Sequence, residues 1–251
     1  MLLCMDFDGV VVDGSNECLI VSWLAFHNKG VPKDPTMVLD GIPSTLSMKF
    51  NNLRNYVRHD GHFIVPYLFN GDLKIGNQED FDQVFSSIKP SIIQEFSRVF
   101  QSIRRKIRQD HAGAWFSYHN FYPNIRTVFN QGHDIHIVSG KDTPSIQAIL
   151  EKNNIFLGRD KIHGGLRTKI SVLKSLYQDS LSQHGDMIFI DDNLPNVLES
   201  SALGIRTLWA DWGFNTVEHL RTAKMHAIKA TTLSEFINLT QTKKNSVETA
   251  V

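Results

Sequence analysis

Two aspartates near the start of the chain have the type and spacing that active-site chemistry requires. Asp6 and Asp8 follow an apolar run, are separated by Phe7 and are followed by Gly9. Side chains at alternate positions of a strand point the same way, so both carboxylates can face one crevice. Because like charges repel at that separation, the pair requires a cation, a shared proton or strong hydrogen bonds. The alternative is a pair of ordinary turn residues, since aspartate is common in turns.

The apolar run before these aspartates predicts a buried strand of a parallel sheet, because such strands are apolar on both faces. From residue 119 onward, short apolar segments alternate with helical patterns. The predicted strands are 134–138, 161–163, 187–190, 206–209 and 227–229, and the predicted helices are 123–132, 144–153, 169–177, 194–202, 234–240 and one from residue 216. This alternation predicts an α/β fold with a Rossmann-like parallel sheet, helices on its faces and right-handed crossovers. Ligands gather at the carboxyl ends of such strands.

The segment between residues 15 and 118 has little strand pattern. Helical stripes are predicted within 15–27, 45–58 and 91–108, whereas 63–69 is apolar but interrupted by Pro66 and predicts no regular element. We therefore predict an inserted helical cap domain over residues 15–118 and an α/β core over residues 1–14 and 119–240. The polar residues 241–251 predict a flexible tail.

Charge and cysteine content argue against several classes of partner. The chain has 26 Lys and Arg against 26 Asp and Glu, so we expect no nucleic-acid partner and no membrane partner. Two cysteines make no disulfide framework and favour a reducing, cytoplasmic setting. An acid at position 6 argues against a signal peptide, and no apolar run has membrane-spanning length.

A second strand end carries groups that suit an anion. Ser139 and Gly140 follow the predicted strand 134–138 and offer a hydroxyl and a backbone amide at the start of a helix. Residues 142–144 would give the same pattern at an ordinary helix start, so this signal is weak by itself.

A third strand end carries two adjacent acids. Asp191 and Asp192 follow the predicted strand 187–190 and suit a hard cation such as Mg²⁺, which prefers oxygen ligands. Acidic capping of the next helix is the alternative interpretation.

A lysine at a helix start lies between these two strand ends. Lys169 follows Thr168, a plausible cap, and a cation in that place opposes the helix dipole unless a phosphate or carboxylate is near. Lys161 and Lys174 are less suitable, because one precedes its strand and the other falls mid-helix.

These signals occur in a characteristic order along the chain. The chain here resembles the haloacid dehalogenase-like hydrolase superfamily, whose four motifs come in the same order. The resemblance is carried by Asp6-Phe7-Asp8-Gly9-Val10, by Ile190-Asp191-Asp192-Asn193-Leu194-Pro195-Asn196-Val197 and by the Trp-Gly-aromatic element Trp212-Gly213-Phe214. It covers residues 1–14 and 119–240, and the position of the insert implies a helical cap of the type called C1. Many members have an acid where this chain has Asn196, which we interpret as a variant beside the metal.

The resemblance implies a Mg²⁺-dependent phosphatase. Asp6 would attack phosphorus to form an aspartyl-phosphate, and Asp8 would protonate the leaving oxygen and then deprotonate water. Mg²⁺ would be held by the Asp6 carboxylate, the Asp8 backbone carbonyl and Asp192, with Asp191 close by. The phosphoryl oxygens would be stabilised by Ser139, Gly140 and Lys169. The dehalogenase branch lacks an aspartate at the position of Asp8, so its presence points to phosphoryl chemistry.

We predict hydrolysis of a small phosphorylated metabolite, and three alternatives stay open. A phosphotransferase or mutase on the same core would differ in what accepts the phosphoryl group. A catalytically silent scaffold would keep the fold and bind a partner, but the intact motif residues argue against it. A receiver-like regulatory domain also uses an acidic pocket, a hydroxyl and a lysine, yet its motif order differs and it has no long insert.

The sequence identifies neither the substrate nor the oligomeric state. Cap residues that are candidates for substrate contact share polar or basic side chains near the middle of the insert; they are Arg54, Arg58, His59, His62 and Tyr67. For the two histidines, a polar loop is favoured over a metal pair.

Overall fold

The computed structural model describes residues 1–68, 75–183 and 186–241, and the chain forms two compact units. The core unit contains residues 1–13 and 121–251, and the insert unit contains residues 14–120. That these units serve as a catalytic core and a cap stays a prediction. Of the predicted flexible tail, only Gln241 is described, and it ends a helix; residues 242–251 lie outside the described residues.

The helices and strands of the described residues are, in chain order, β1 (Leu2–Met5), β2 (Val12–Asp13), α1 (Ser15–Phe26), α2 (Ser44–Arg54), α3 (Val65–Leu68), α4 (Gln78–Ser86), α5 (Pro90–Asp110), α6 (Ala112–Ser117), β3 (Asn120–Phe121), β4 (Asp134–Val138), α7 (Thr143–Lys152), β5 (Ile162–His163), α8 (Ile170–Gln183), β6 (Met187–Asp191), α9 (Leu194–Ser201), β7 (Arg206–Ala210), α10 (Val217–Met225), β8 (Ala230–Thr231) and α11 (Leu233–Gln241). Short 3₁₀ helices lie at Pro35–Gly41, Asp60–Ile64, Ile125–Asn130 and Arg159–Lys161. Among the described residues, no helix combines the length and the apolar character that crossing a membrane requires.

The core unit is built on a six-stranded sheet with the strand order β5-β4-β1-β6-β7-β8. Neighbouring strands in this sheet run parallel. The predicted α/β class, with a Rossmann-like parallel sheet and a helical insertion, is confirmed. Parallel neighbours require crossover connections, which the intervening helices supply.

The position of β1 in the centre of the sheet follows from its sequence. All four of its residues are buried, as a strand covered on both faces requires. Met5 pairs with Ile137 of β4 on one side and with Ile190 of β6 on the other. The residues that directly follow β1, β4 and β6 therefore meet at one edge of the sheet.

Two apolar clusters hold helices against this sheet. One joins β1, β4 and β6 to α8 through buried residues that include Cys4, Phe189 and Leu173. The other joins Trp209 of β7 to α9 and α10. Both clusters fix the helices that begin at the carboxyl edge of the sheet.

Two predictions of secondary structure are wrong. The strand predicted at 227–229 is instead the turn that follows α10: Ala227 adopts a left-handed φ of 55°, and the N–H of Ile228 donates to the carbonyl of Ala223. This is a helix C-terminal turn, and the last strand comes after it. In place of the helix predicted from residue 123 there is a 3₁₀ helix at Ile125–Asn130, and the left-handed φ of 61° at Asn124 prevents a helix from starting at residue 123.

The insert unit is helical in its described part, with α1 packed against α5. A buried ion pair joins these helices: the Arg104 guanidinium donates from Nε to Glu17 Oε1 at 2.6 Å and from Nη2 to Oε2 at 2.9 Å. Three rings stack in sequence, Phe50 on Phe63 and Phe63 on Phe100, and the Arg104 guanidinium lies 4.6 Å from the centre of the Phe100 ring. The apolar segment for which the sequence predicted no regular element begins within the second 3₁₀ helix and continues as α3 as far as the description reaches.

Candidate active site

The chain turns sharply where β1 ends, and the turn places Asp6. The backbone N–H of Asp6 donates to the carbonyl of Ile190 at 2.9 Å, which extends the pairing of β1 with β6 by one residue. The carbonyl of Phe7 then accepts the N–H groups of Val11 and Val12, which closes the turn. Within it, Asp6 Oδ1 accepts the N–H of Phe7 at 2.7 Å. One oxygen of this buried carboxylate is therefore fixed by the backbone.

Lys169 holds the other oxygen. Its ammonium lies 2.9 Å from Asp6 Oδ2 and 2.7 Å from Asp191 Oδ2. All three side chains are buried, and Lys169 directly precedes α8. The two carboxylates explain how a cation is tolerated at a helix start. Burial lowers the pKa of Lys169, but the charges of Asp191 and Asp6 outweigh that effect and raise it.

Asp191 is completely buried and connects the starts of two helices. Its Oδ1 accepts the N–H of Asn193 at 2.8 Å, and its Oδ2 accepts an amide proton of Asn196 at 3.0 Å. Burial raises the pKa of Asp191 to about 6, against the lowering effect of Lys169. The start of α9 and the start of α8 are thus tied to one carboxylate.

Asp192 is held by β7 and by the segment that follows it. The indole N–H of Trp209 donates to its backbone carbonyl at 2.8 Å, and the N–H of Phe214 donates to its Oδ2 at 2.7 Å. Two glycines make the close approach possible. A Cβ on Gly9, which has a φ of 96°, would overlap the carboxylate of Asp192, and a Cβ on Gly213 would overlap its side chain.

Three of the predicted site residues form one buried cluster of acids. Ligand oxygens of Asp6, Asp191 and Asp192 all lie within 4.8 Å of one another. Carboxylate oxygens are hard ligands of the kind that Mg²⁺ prefers. This group of residues could therefore hold a divalent cation, with Lys169 offsetting only part of its negative charge.

Asp8 is paired with a lysine that the sequence analysis did not single out. The ammonium of Lys141 lies 3.3 Å from Asp8 Oδ2 and 3.5 Å from Oδ1. Lys141 directly follows Ser139 and Gly140, so its place at a strand end was visible in the sequence. Its partner was not, because the pairing joins residues on two different strand ends.

Ser139 and Gly140 lie at the carboxyl end of β4, beside β1. Within the described part of the chain, Ser139 bonds to backbone groups: its N–H donates to the carbonyl of His163, and its Oγ accepts the N–H of Lys141 at 3.3 Å. Residues 142–144 also form the ordinary helix start that was the alternative interpretation, because Asp142 caps α7 by accepting the N–H of Ser145.

The candidate cap residues make contacts inside the insert unit. Arg58 pairs with Asp82 at 2.8 Å, and the hydroxyl of Tyr67 lies 2.6 Å from Ser22 Oγ. Three members of the group pack against aromatic rings: Arg54, His59 and His62. A role of any of these five residues in substrate contact stays a prediction.

Comparison with known proteins shows similarity at the level of structure. No protein-family model matches the chain, and no curated protein matches it. A haloacid dehalogenase-like family hydrolase from Streptococcus pneumoniae is 16% identical with a TM-score of 0.58, over 95% of this chain and 96% of that one. A predicted phosphatase from Clostridium acetobutylicum is 14% identical with a TM-score of 0.59, over 97% and 98%. Protein Tyrosine Kinase A from Mycobacterium tuberculosis is 15% identical with a TM-score of 0.52, over 95% and 97%.

These similarities establish the fold. The chain has the fold of haloacid dehalogenase-like hydrolases over almost its whole length. At such low identity the likeness carries no activity to this chain, and functions differ within a fold. The C1 type of the insert stays a prediction.

Proposed function

We propose that this chain is a Mg²⁺-dependent phosphatase that hydrolyses a small phosphorylated metabolite through an aspartyl-phosphate on Asp6. The observation that carries the proposal is the setting of Asp6. Its carboxylate is buried, fixed by the N–H of Phe7 and paired with Lys169, and it adjoins two further acids. A nucleophile held in one orientation beside a fixed cation suits attack on an anionic phosphorus centre.

The first step breaks the bond between phosphorus and the leaving oxygen. A carboxylate oxygen of Asp6 forms a bond to phosphorus, and the carboxylic proton of Asp8 passes to the leaving oxygen, which departs as an alcohol. In the second step, water attacks phosphorus while the Asp8 carboxylate takes its proton. The bond between phosphorus and Asp6 breaks, and inorganic phosphate and the Asp6 carboxylate are released.

The phosphoryl oxygens need positive charge and hydrogen-bond donors. Lys169 supplies a buried ammonium whose position two carboxylates fix. The Ser139 hydroxyl and the Gly140 amide lie at the neighbouring strand end and would donate to the same oxygens. Donors fixed in advance cost no reorganisation during the reaction.

The residues of the site fit Mg²⁺. The carboxylates of Asp6 and Asp192 and the backbone carbonyl of Asp8 would hold the ion, with Asp191 close by. Four carboxylates (Asp6, Asp8, Asp191 and Asp192) face two ammonium groups (Lys141 and Lys169), which leaves an excess of negative charge for a divalent cation to offset. When bound, the ion supplies charge that lets an anionic nucleophile approach a phosphate.

The test is release of inorganic phosphate from a panel of phosphomonoesters, with and without Mg²⁺. Asp6→Asn removes the nucleophile, and Asp134→Asn is the matched control, because Asp134 begins β4 and pairs with Lys161. We expect Mg²⁺-dependent turnover that the first variant abolishes and the second retains. After acid quench, mass spectrometry should locate a phosphoryl group on the peptide that contains Asp6. Full activity of Asp6→Asn would contradict the proposal.

A phosphotransferase is the second candidate, because Protein Tyrosine Kinase A shares the fold. Measuring how the phosphoryl group partitions between water and added alcohols or tyrosine peptides separates the two. Dominant transfer to an acceptor would replace hydrolysis as the function. A cytoplasmic setting, without nucleic-acid or membrane partners, stays an expectation from composition.

A further inference from the structure

We infer that Lys141 is a positioning residue that holds the Asp8 carboxyl group in its catalytic orientation. This inference rests on the proposed phosphatase function, in which Asp8 transfers the protons. It adds a residue that none of the four motifs contains.

The contact between the two side chains has a geometry suited to orientation. The ammonium of Lys141 lies at nearly equal distances, 3.3 and 3.5 Å, from the two carboxylate oxygens of Asp8. An ammonium centred between both oxygens resists rotation of the carboxyl group in either direction, and when one oxygen carries the proton of the first step the other can still accept from Lys141. The side chain of Lys141 is 1% exposed and that of Asp8 is 12% exposed. Asp8 can therefore meet a substrate, whereas Lys141 acts through Asp8.

The backbone of Lys141 is anchored on both sides. Its N–H donates to Ser139 Oγ at 3.3 Å, and its carbonyl accepts the N–H of Gly165 at 2.8 Å. The segment around Gly164 packs closely against Lys141, since a Cβ on Gly164 would overlap the Lys141 carbonyl. A buried ammonium is costly without a counter-charge, and the Asp8 carboxyl group supplies one when it is ionised.

The site thus assigns a lysine to each reacting acid. Lys169 contacts Asp6 and Asp191, and Lys141 contacts Asp8. The nucleophile and the proton donor are held by separate cations on separate strand ends. Removing Lys141 should therefore disturb proton transfer while leaving the nucleophile in place.

Leaving groups of different basicity separate this role from general structural support. The leaving oxygen of an alkyl phosphate needs a proton, whereas 4-nitrophenyl phosphate releases the weakly basic 4-nitrophenolate without one. Measuring leaving-group release from both esters in single turnovers isolates the first step. In Lys141→Met we expect the alkyl ester to slow by at least about 100-fold, the scale of general acid catalysis, and the nitrophenyl ester to slow far less. Lys141→Arg, which keeps the charge, should recover part of the loss.

Two further variants make the test decisive. Lys161→Met is the matched control, because it breaks the ion pair that Lys161 makes with Asp134 of β4 and should leave the ratio of the two rates unchanged. Lys141→Gln keeps a long side chain with a hydrogen-bond donor and replaces Lys141→Met if that variant does not fold. Equal slowing of both esters in a folded variant would overturn the positioning role while leaving the phosphatase proposal intact. No turnover of either ester by the unmodified protein would overturn both.

Discussion

Replacing Gly213 by alanine should disturb the acidic cluster by a predictable amount. The new Cβ would overlap the side chain of Asp192 on one side and the carbonyl of Gly9 on the other. These contacts are with the Cβ of Asp192 and a backbone oxygen, so neither group can rotate out of the way. Overpacking of this kind costs about 1–3 kcal/mol. If Asp192 shifts, its bond from the N–H of Phe214 is lost, which adds about 1.5–3 kcal/mol for a charged acceptor.

The assay is thermal unfolding with and without Mg²⁺. A combined loss of about 4 kcal/mol should lower Tm by about 8–16 °C, at about 2–4 °C per kcal/mol for a chain of this size. Mg²⁺ at 100 times its Kd should stabilise the unmodified protein by about 2.7 kcal/mol. In Gly213→Ala that gain should fall well below half, because Asp192 is displaced. Gly30→Ala is the control, since its Cβ would meet no atom within 4 Å.

Either of two results would refute this reasoning. One is a Tm of Gly213→Ala within about 2 °C of the unmodified protein, which would mean that the packing relaxes without cost. The other is an undiminished gain from Mg²⁺, which would mean that Asp192 does not contribute to the ion site.

Three other predictions concern stability. Arg104→Met should destabilise the insert unit by about 3–5 kcal/mol in urea unfolding, because it leaves the Glu17 carboxylate buried without the Arg104 charge. Adding Glu17→Leu should restore most of this loss. A loss below about 1 kcal/mol in the single variant would contradict the prediction. Burial lowers the pKa of His62 well below its ordinary value, so the unfolded chain takes up the proton first as the pH falls. The free energy of unfolding should therefore decrease below about pH 6.5. If a His62→Leu variant shows the same pH dependence of its urea midpoint, His62 is not the group responsible. Asn196→Asp replaces a hydrogen-bond donor to Asp191 by a like charge and should cost about 1–3 kcal/mol without Mg²⁺. Mg²⁺ should then raise the Tm of this variant more than it raises that of the unmodified protein. An unchanged Tm in the absence of the ion would show that the contact between Asn196 and Asp191 does not stabilise the protein.

The parallel sheet was predictable because buried strands are written as short apolar runs. The bounds predicted for β4 match the structure, and those for β6 and β7 differ by one residue. The strand ends then indicated which polar residues meet, since the carboxyl ends of parallel strands share one edge. Local turns were harder to predict. Ala227 adopts a left-handed conformation that alanine rarely adopts. The residue types at 227–229 do not distinguish this turn from a short strand.

Contacts between distant polar residues were the least predictable part of the site. The pairing of Lys141 with Asp8 depends on side-chain geometry across two loops. The same holds for Trp209, whose indole fixes the backbone of Asp192. A motif shows that residues come together, whereas the hydrogen bonds that orient them depend on atomic positions that periodicity does not encode.

The central place of β1 has a consequence for synthesis on the ribosome. This strand is translated before its sheet neighbours β4 and β6, and Leu2 pairs with Met187. At about 5–20 residues per second, the strand waits on the order of 10–40 s before both neighbours exist. The insert unit is one continuous segment, residues 14–120, and can begin to fold during that interval. A nascent chain arrested before β6 would therefore expose an unpaired apolar strand and make a ready client for chaperones.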